Sequence, residues 1–164
     1  MIPIIEKMEV YPVAGHDCME LILATNYMID GVPMVYCGNE IADQTRVSMF
    51  ANRFHPGAFS FTDRNTVGAH VDRRKEIIKT LNAMRAELAV LSETETQWIP
   101  VENDSILAFK RAGTEEEILF AGNFSENDSE IVLESGEVLL SNNAFFHNGT
   151  VRLSSYGYII IRRS

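Results

Sequence analysis

Glu40 is the acid of this chain best placed for chemistry. It closes the run Val32-Pro33-Met34-Val35-Tyr36-Cys37-Gly38-Asn39-Glu40. An apolar strand left through a glycine and a polar loop belongs to a parallel α/β sheet, whose sites sit at the strands' carboxyl ends. Double displacement at carbon takes two carboxyl groups roughly 5 Å apart, one a nucleophile and one a proton donor. The second candidate is Asp17, in Gly15-His16-Asp17. Asp17 has a competing duty, because Glu20 stands three residues on as the returning partner of a helix capping box. Without Asp17, Glu40 is a lone carboxylate, suited to anchoring a loop rather than to double displacement. Tyr36, Gly38, Asn39 and Arg46 share its rim, where Asn39 and Arg46 have the donors to meet a ligand hydroxyl, against the plainer reading of solvated side chains.

Other reactive types are scattered. Trp98, Phe145 and Phe146 suggest a stacking platform, against the plainer reading of core or interdomain packing. Cys18 and Cys37 read as small buried hydrophobes. His16, His55, His70 and His147 lack metal-ligand spacing, so neither metal nor cofactor is expected. Glu115-Glu116-Glu117 marks a solvated hairpin end. There is no glycine-rich phosphate loop, nucleophile elbow or His-Glu-x-x-His run.

The elements that must position these residues follow from periodicity. Asp17 to Ile29 predicts a helix, with Leu21, Ile22, Ala24, Thr25, Met28 and Ile29 along one broad face. Asp30-Gly31 turns the chain into a short strand, Val32 to Tyr36. Ile41 to Val71 has no long period and reads as a packed loop anchored by Phe50, Phe54, Phe59 and Phe61, with a short helix near Arg46 to Phe54. Asp72 to Leu91 predicts a second helix, with Ile77, Ile78, Leu81, Met84, Leu88 and Leu91 on one side. From Gln97 the period becomes two. Strands are expected at Gln97–Val101, Ser105–Ala112, Glu116–Phe124, Ser129–Leu133, Glu137–Leu140, Ala144–His147, Thr150–Leu153 and Tyr156–Arg162. Asn142-Asn143 and Asn148-Gly149 are read as turns, the latter as a two-residue hairpin. Met1 to Gly15 fits no single period.

With 164 residues and a hydrophobic fraction of 46%, the chain is globular. A net charge of −9 with no basic stripe argues against a nucleic-acid partner. No signal peptide and no membrane-spanning run is expected, which leaves the compartment open.

Gly31-x-Pro33-x-x-Tyr36-x-Gly38-x-Glu40-Ile41 resembles the eighth barrel strand of the α-amylase family, glycoside hydrolase family 13. Leu81-Asn82-Ala83-Met84-Arg85 is similar to the Leu-x-x-x-Arg run of that family's last barrel helix. Ile106-Leu107-Ala108-Phe109-Lys110-Arg111, Ile118 to Phe124 and Tyr156-Gly157-Tyr158-Ile159-Ile160-Ile161 resemble its C-terminal sandwich. The resemblance runs from Asp17 to the last residue. It implies an α+β chain: an unassigned segment 1–16, the last helix–strand–loop–helix of a (β/α)8 barrel over 17–94, and a Greek-key-like antiparallel β-sandwich over 95–164. It further implies a parent enzyme that cleaves or transfers α-glucosidic bonds with retention, acting on an α-glucan or oligosaccharide. That family's catalytic carboxylates lie upstream of the strand matched here, so the chain alone is expected to be inactive, and Glu40 to belong to a motif without being a catalytic acid. A single barrel strand has two unpaired edges, so a homo-oligomer covering Val32 to Tyr36 is expected. The alternative is a stand-alone carbohydrate-binding or interaction module whose working part is the sandwich.

Overall fold

The computed structural model describes residues 6–35, 39–41 and 69–164. Three helices precede six strands: α1 (Glu6–Met28), α2 (Ala69–Glu87), α3 (Val90–Glu93), then β1 (Gln97–Trp98), β2 (Ile106–Ala112), β3 (Glu117–Asn123), β4 (Ser129–Val132), β5 (Glu137–His147) and β6 (Thr150–Arg163). A 3-10 turn spans Asn39–Ile41.

The helix expected to begin at Asp17 is part of a longer one. Gly15, at φ 70° and ψ −162°, interrupts it, and the helix resumes beyond that kink. Past the kink, Leu21, Ala24, Tyr27 and Met28 are buried against Ile77, Leu81 and Met84 of α2. The Tyr27 hydroxyl donates to Asn82 Oδ1 across the pair at 3.0 Å. Both helices lie on one face of the sheet, over Phe109, Ile118, Phe120, Tyr158 and Ile160. Leu21 sits so close over Gly122 of β3 that a Cβ there would strike its side chain.

The strands form one curled antiparallel sheet in the order β1-β2-β3-β6-β4, with β5 on the other side of β6. Alternation along β3 explains the two cores. Ile118 and Phe120 face the helices, whereas Leu119 and Ala121 turn to a second core with Ile106, Ile131, Leu133, Val151, Leu153, Ile159 and Ile161. β6 serves both. Its first residues pair with β4 and the tip of β5, and its last with β3 and the base of β5.

Four of the strands read from the sequence are two long ones. Asn142-Asn143 is a register shift within β5, with Asn143 at φ 47°, rather than a turn between strands. The break expected between Leu153 and Tyr156 is a bend within β6, where Tyr156 takes φ 51° and Gly157 meets the backbone of Asn143. The hairpin at Asn148-Gly149 forms as expected. Both residues have positive φ, 49° and 81°, and His147 pairs with Thr150.

Where a strand is expected, Val32 to Val35 makes no strand ladder among the described residues; Tyr36 lies outside them. Parallel pairing needs a neighbouring strand on at least one edge. The described sheet is antiparallel and packs its face, not its edge, against the helices. Val35 packs on the helical core, while Val32 is 93% exposed and Met34 47%.

Candidate functional site

The expected rim is only partly described. Tyr36, Gly38 and Arg46 lie outside the described residues, as do Cys37, His55 and the loop phenylalanines. Asn39 and Glu40 begin the 3-10 turn that packs on α2, with Asn39 half-buried and Glu40 exposed. A fully buried arginine holds this turn. Arg74 Nη1 donates to the carbonyl of Asn39 at 3.4 Å, and Nη2 to that of His16 at 3.3 Å. One guanidinium therefore ties the residue before Glu40 to the residue before Asp17.

The two carboxylates nonetheless meet different surroundings. Asp17 accepts from Asn143 Nδ2 at 3.2 Å, from Asn142 Nδ2 at 3.4 Å and from Arg73 Nη2 at 3.4 Å. Glu20, 2% exposed, takes a 2.8 Å ion pair from Arg73 and a 3.5 Å hydrogen bond from Asn142. Arg73 also donates to Asn142 Oδ1. The capping box expected of Asp17 and Glu20 is thus replaced by a network that joins α1, α2 and β5. Side chains from a helix and a strand remote in sequence compete for the carboxylates with the helix's own N–H groups, and they win. Burial pushes the Glu20 carboxyl above its ordinary value, against the pull of Arg73 and Arg74. The phenol of Tyr158, buried with no hydrogen-bond partner among the described residues, is raised first by burial and next by the nearby Glu20.

A second polar node lies at the opposite end of the helices. Arg111, 1% exposed, donates to the carbonyls of Met28 and Leu91, each at 3.0 Å, to the Thr94 carbonyl, and to Thr94 Oγ1 at 3.3 Å. Arg85 reaches Leu91 O at 2.6 Å and also Gly31 O. Asp30 N–H donates to Thr96 Oγ1 at 2.9 Å, and that hydroxyl donates to the Asp30 carboxylate. These bonds fix the turn that launches Val32 to Val35.

Beside this node an open groove of ≈ 580 Å³ runs past Glu93, Thr94, Gly113 to Glu116, Arg162 and Ser164. Its carboxylates are exposed or half-buried. Nothing there supplies the desolvated setting that keeps a proton donor charged with its proton. Among the described residues no group of His, Cys, Asp or Glu could hold a metal ion, and no helix is long and apolar enough to cross a membrane.

The aromatics that suggested a platform are dispersed, in keeping with the plainer reading of packing for Trp98 and Phe146. Trp98, 57% exposed on the edge strand β1, packs edge-on against Phe109 with centroids 5.6 Å apart. Phe145 points outward from β5 and Phe146 inward to the second core. Successive residues of a strand face opposite sides, so the pair could not share a surface.

No family model matches the chain, and no curated protein sequence matches it. Solved structures do. Eubacterium rectale Amy13B superposes over 93% of this chain and 35% of its own, at 14% identity and a TM-score of 0.68. Bacillus licheniformis trehalose-6-phosphate hydrolase covers 93% and 40%, at 14% identity and a TM-score of 0.66. The trehalulose synthase MutB from Pseudomonas mesoacidophila MX-45 covers 89% and 38%, at 13% identity and a TM-score of 0.65. The chain has the fold of the C-terminal portion of an α-amylase-family enzyme. It spans well under half the length of these α-amylase-family structures.

Within this α-amylase-type portion, the sequence gives Arg73 and Arg74 no role beyond charge at the start of a helix, and Arg111 none beyond a place in the expected strand Ser105–Ala112. Their roles left a signal. Arg74 stands on the same helical stripe as Ile77, Ile78 and Leu81, and Arg111 on the same strand face as Leu107 and Phe109. A cation at a core position of an apolar period is a buried tie until shown otherwise.

Proposed function

We propose that this chain is the C-terminal part of an α-glucan-acting glycoside hydrolase or transferase, without the catalytic carboxylates and inactive alone. In this reading 17–94 contributes the last helix–strand–helix of a (β/α)8 barrel, with Val32 to Tyr36 as its final strand. Residues 95–164 form the β-sandwich that packs on the barrel. The carrying observation is the superposition of about nine-tenths of this chain on little more than a third of each relative. The disposition of acids supports it: Asp17 and Glu20 are occupied by Arg73, Asn142 and Asn143, and Glu40 is exposed. The role of this portion is to close the barrel and to carry the turn bearing Asn39 and Glu40 on one rim of the cleft. On its own, the chain covers Val32 and Met34 by pairing with a second copy.

A chromogenic α-glucoside tests this directly. No turnover is expected from the chain, nor from Glu40→Gln. Turnover that disappears in Glu40→Gln would overturn the proposal and make Glu40 catalytic. The exposure of Trp98 and Phe145 favours a second reading, a carbohydrate-binding module built on the sheet. Titration with maltodextrins separates the two, because a barrel remnant without its cleft has no need to bind sugar.

A further inference from the structure

Asn148 is the one asparagine in the sequence that a glycine follows. It is exposed at the loop between β5 and β6, and both loop residues have positive φ. Closure of an asparagine amide onto the next backbone nitrogen is ordinarily hindered by the following side chain. Glycine has none, and even a Cβ built on Gly149 meets only the Leu133 carbonyl, at 4.0 Å. The amide is also held in place. Asn148 Nδ2 lies 2.9 Å from His147 Nε2, and because an amide NH2 can only donate, the ring nitrogen is the acceptor. The nitrogen that must depart therefore touches an imidazole that can relay the proton it has to take up.

Asp30-Gly31 offers the comparison. The same residue follows, but the Asp30 carboxylate accepts from Thr96 Oγ1, which holds it below the ordinary aspartate range. An ionised carboxylate resists a nitrogen nucleophile. The Asp30 N–H and the Gly31 carbonyl are tied down as well, by Thr96 and Arg85. Ring closure is thus open at Asn148 and suppressed at Asp30.

We infer that Asn148 is a site of spontaneous modification, converting through a cyclic imide to aspartate and isoaspartate. The Gly149 backbone nitrogen gives its proton to solvent and bonds to Asn148 Cγ. The Cγ–Nδ2 bond breaks, and the nitrogen takes up a proton and leaves as ammonia. Water then opens the imide at either carbonyl. Opening at Cγ gives aspartate; opening at the main-chain carbonyl sends the backbone through Cγ, one carbon longer, and frees an α-carboxylate. The site rests on the hairpin alone, not on the reading of the chain as part of a hydrolase.

The two products act differently on the fold. Aspartate tolerates the left-handed region much as asparagine does, so the hairpin survives with an added negative charge. The longer backbone no longer fits a two-residue loop. His147 and Thr150 then lose their pairing, and the Gly149 carbonyl moves off the Leu133 N–H, from which it accepts at 3.0 Å. Leu133 is buried in the second core, so the end of β4 loosens with the tip of β5.

Incubation of the full chain at mildly alkaline pH, with peptide mass spectrometry and hydroxylamine trapping of the imide, tests this. Conversion of Asn148 should outpace that of the exposed Asn127 and Asn143 at least tenfold and leave Asp30 unchanged. His147→Ala should slow it several-fold in the folded chain but not in urea. Amide exchange at Leu133 should quicken in the isoaspartate fraction and keep its starting rate in freshly prepared Asn148→Asp, which has the charge without the longer backbone. An Asn148 that stays intact in the folded chain while urea-unfolded chain converts overturns the site, since the hairpin would then protect the amide. A rate that His147→Ala leaves unchanged overturns the relay, and unaltered Leu133 exchange in the isoaspartate fraction overturns the link to β4.

Discussion

Arg85 of α2 and Arg111 of β2 donate to the same oxygen, the carbonyl of Leu91, at 2.6 and 3.0 Å. Through it the helical part and the sheet share one joint. Arg85 reaches back to Gly31 and Arg111 to Met28, so the turn that begins Val32 to Val35 is held from both sides.

Loss of Arg111 strips the carbonyls of Met28 and Thr94 of its guanidinium and leaves that of Leu91 to Arg85 alone. Arg111→Met keeps the bulk but not the donors, and should lower stability by roughly 3 kcal/mol in urea unfolding. Arg111→Lys should restore little, because one ammonium cannot reproduce a fork that serves several acceptors.

Glu20 makes stability depend on pH with a definite sign. Burial raises its carboxyl in the folded state, so the folded chain holds that proton more tightly than the unfolded one. Its stabilising contribution is fully present below the ordinary glutamate range and is lost as pH rises through the folded value. Thermal unfolding of wild type and Glu20→Gln across pH 4 to 8 should therefore show the variant gaining on wild type as pH rises. A constant difference would refute this.

Gly157 lies where β6 bends against β5. A Cβ there would run into the carbonyl of Asn143 and crowd that of Ser154, both backbone atoms that cannot swing aside. Gly157→Ala should cost about 2–4 kcal/mol. Gly149→Ala, where the added carbon meets only the Leu133 carbonyl at an ordinary 4.0 Å but φ is 81°, should cost about 1 kcal/mol. Chemical denaturation of the two variants ranks them.

Val32 and Met34 are the exposed apolar residues of the clamped segment. Val32→Thr with Met34→Gln should shift light scattering at micromolar concentration from an oligomer to a monomer, with the unfolding midpoint at low concentration unchanged. A wild-type monomer would remove the self-association proposed above.

Cys18 is buried, and burial pushes its thiol up. Iodoacetamide at pH 8 should label it in the native chain far more slowly than in urea, as read by peptide mass spectrometry.

Composition and period alone determined much of this protein. The helix from Asp72 as far as Glu87, the switch to period two at Gln97 and the Asn148-Gly149 hairpin follow from local rules, because helical stripes, strand alternation and positive φ are properties of neighbouring residues; the expected continuation to Leu91 is instead the separate α3, Val90–Glu93. Pattern also pointed to the α-amylase-type arrangement, since Gly31, Pro33 and Arg85 lie at telling intervals. Tertiary structure decided the rest. Asp17 and Glu20 serve Arg73 and Asn142 instead of their own helix, since partners on α2 and β5 offer charge and an amide that the local backbone cannot match. Val32 to Val35 forms no strand among the described residues, since a ladder requires a neighbour that no local pattern supplies. Asn143 is a bulge and not a turn, because β6 lies alongside and pairs with the residues on both sides of it. Whether a short extended run pairs, and with what, is a property of the assembled sheet.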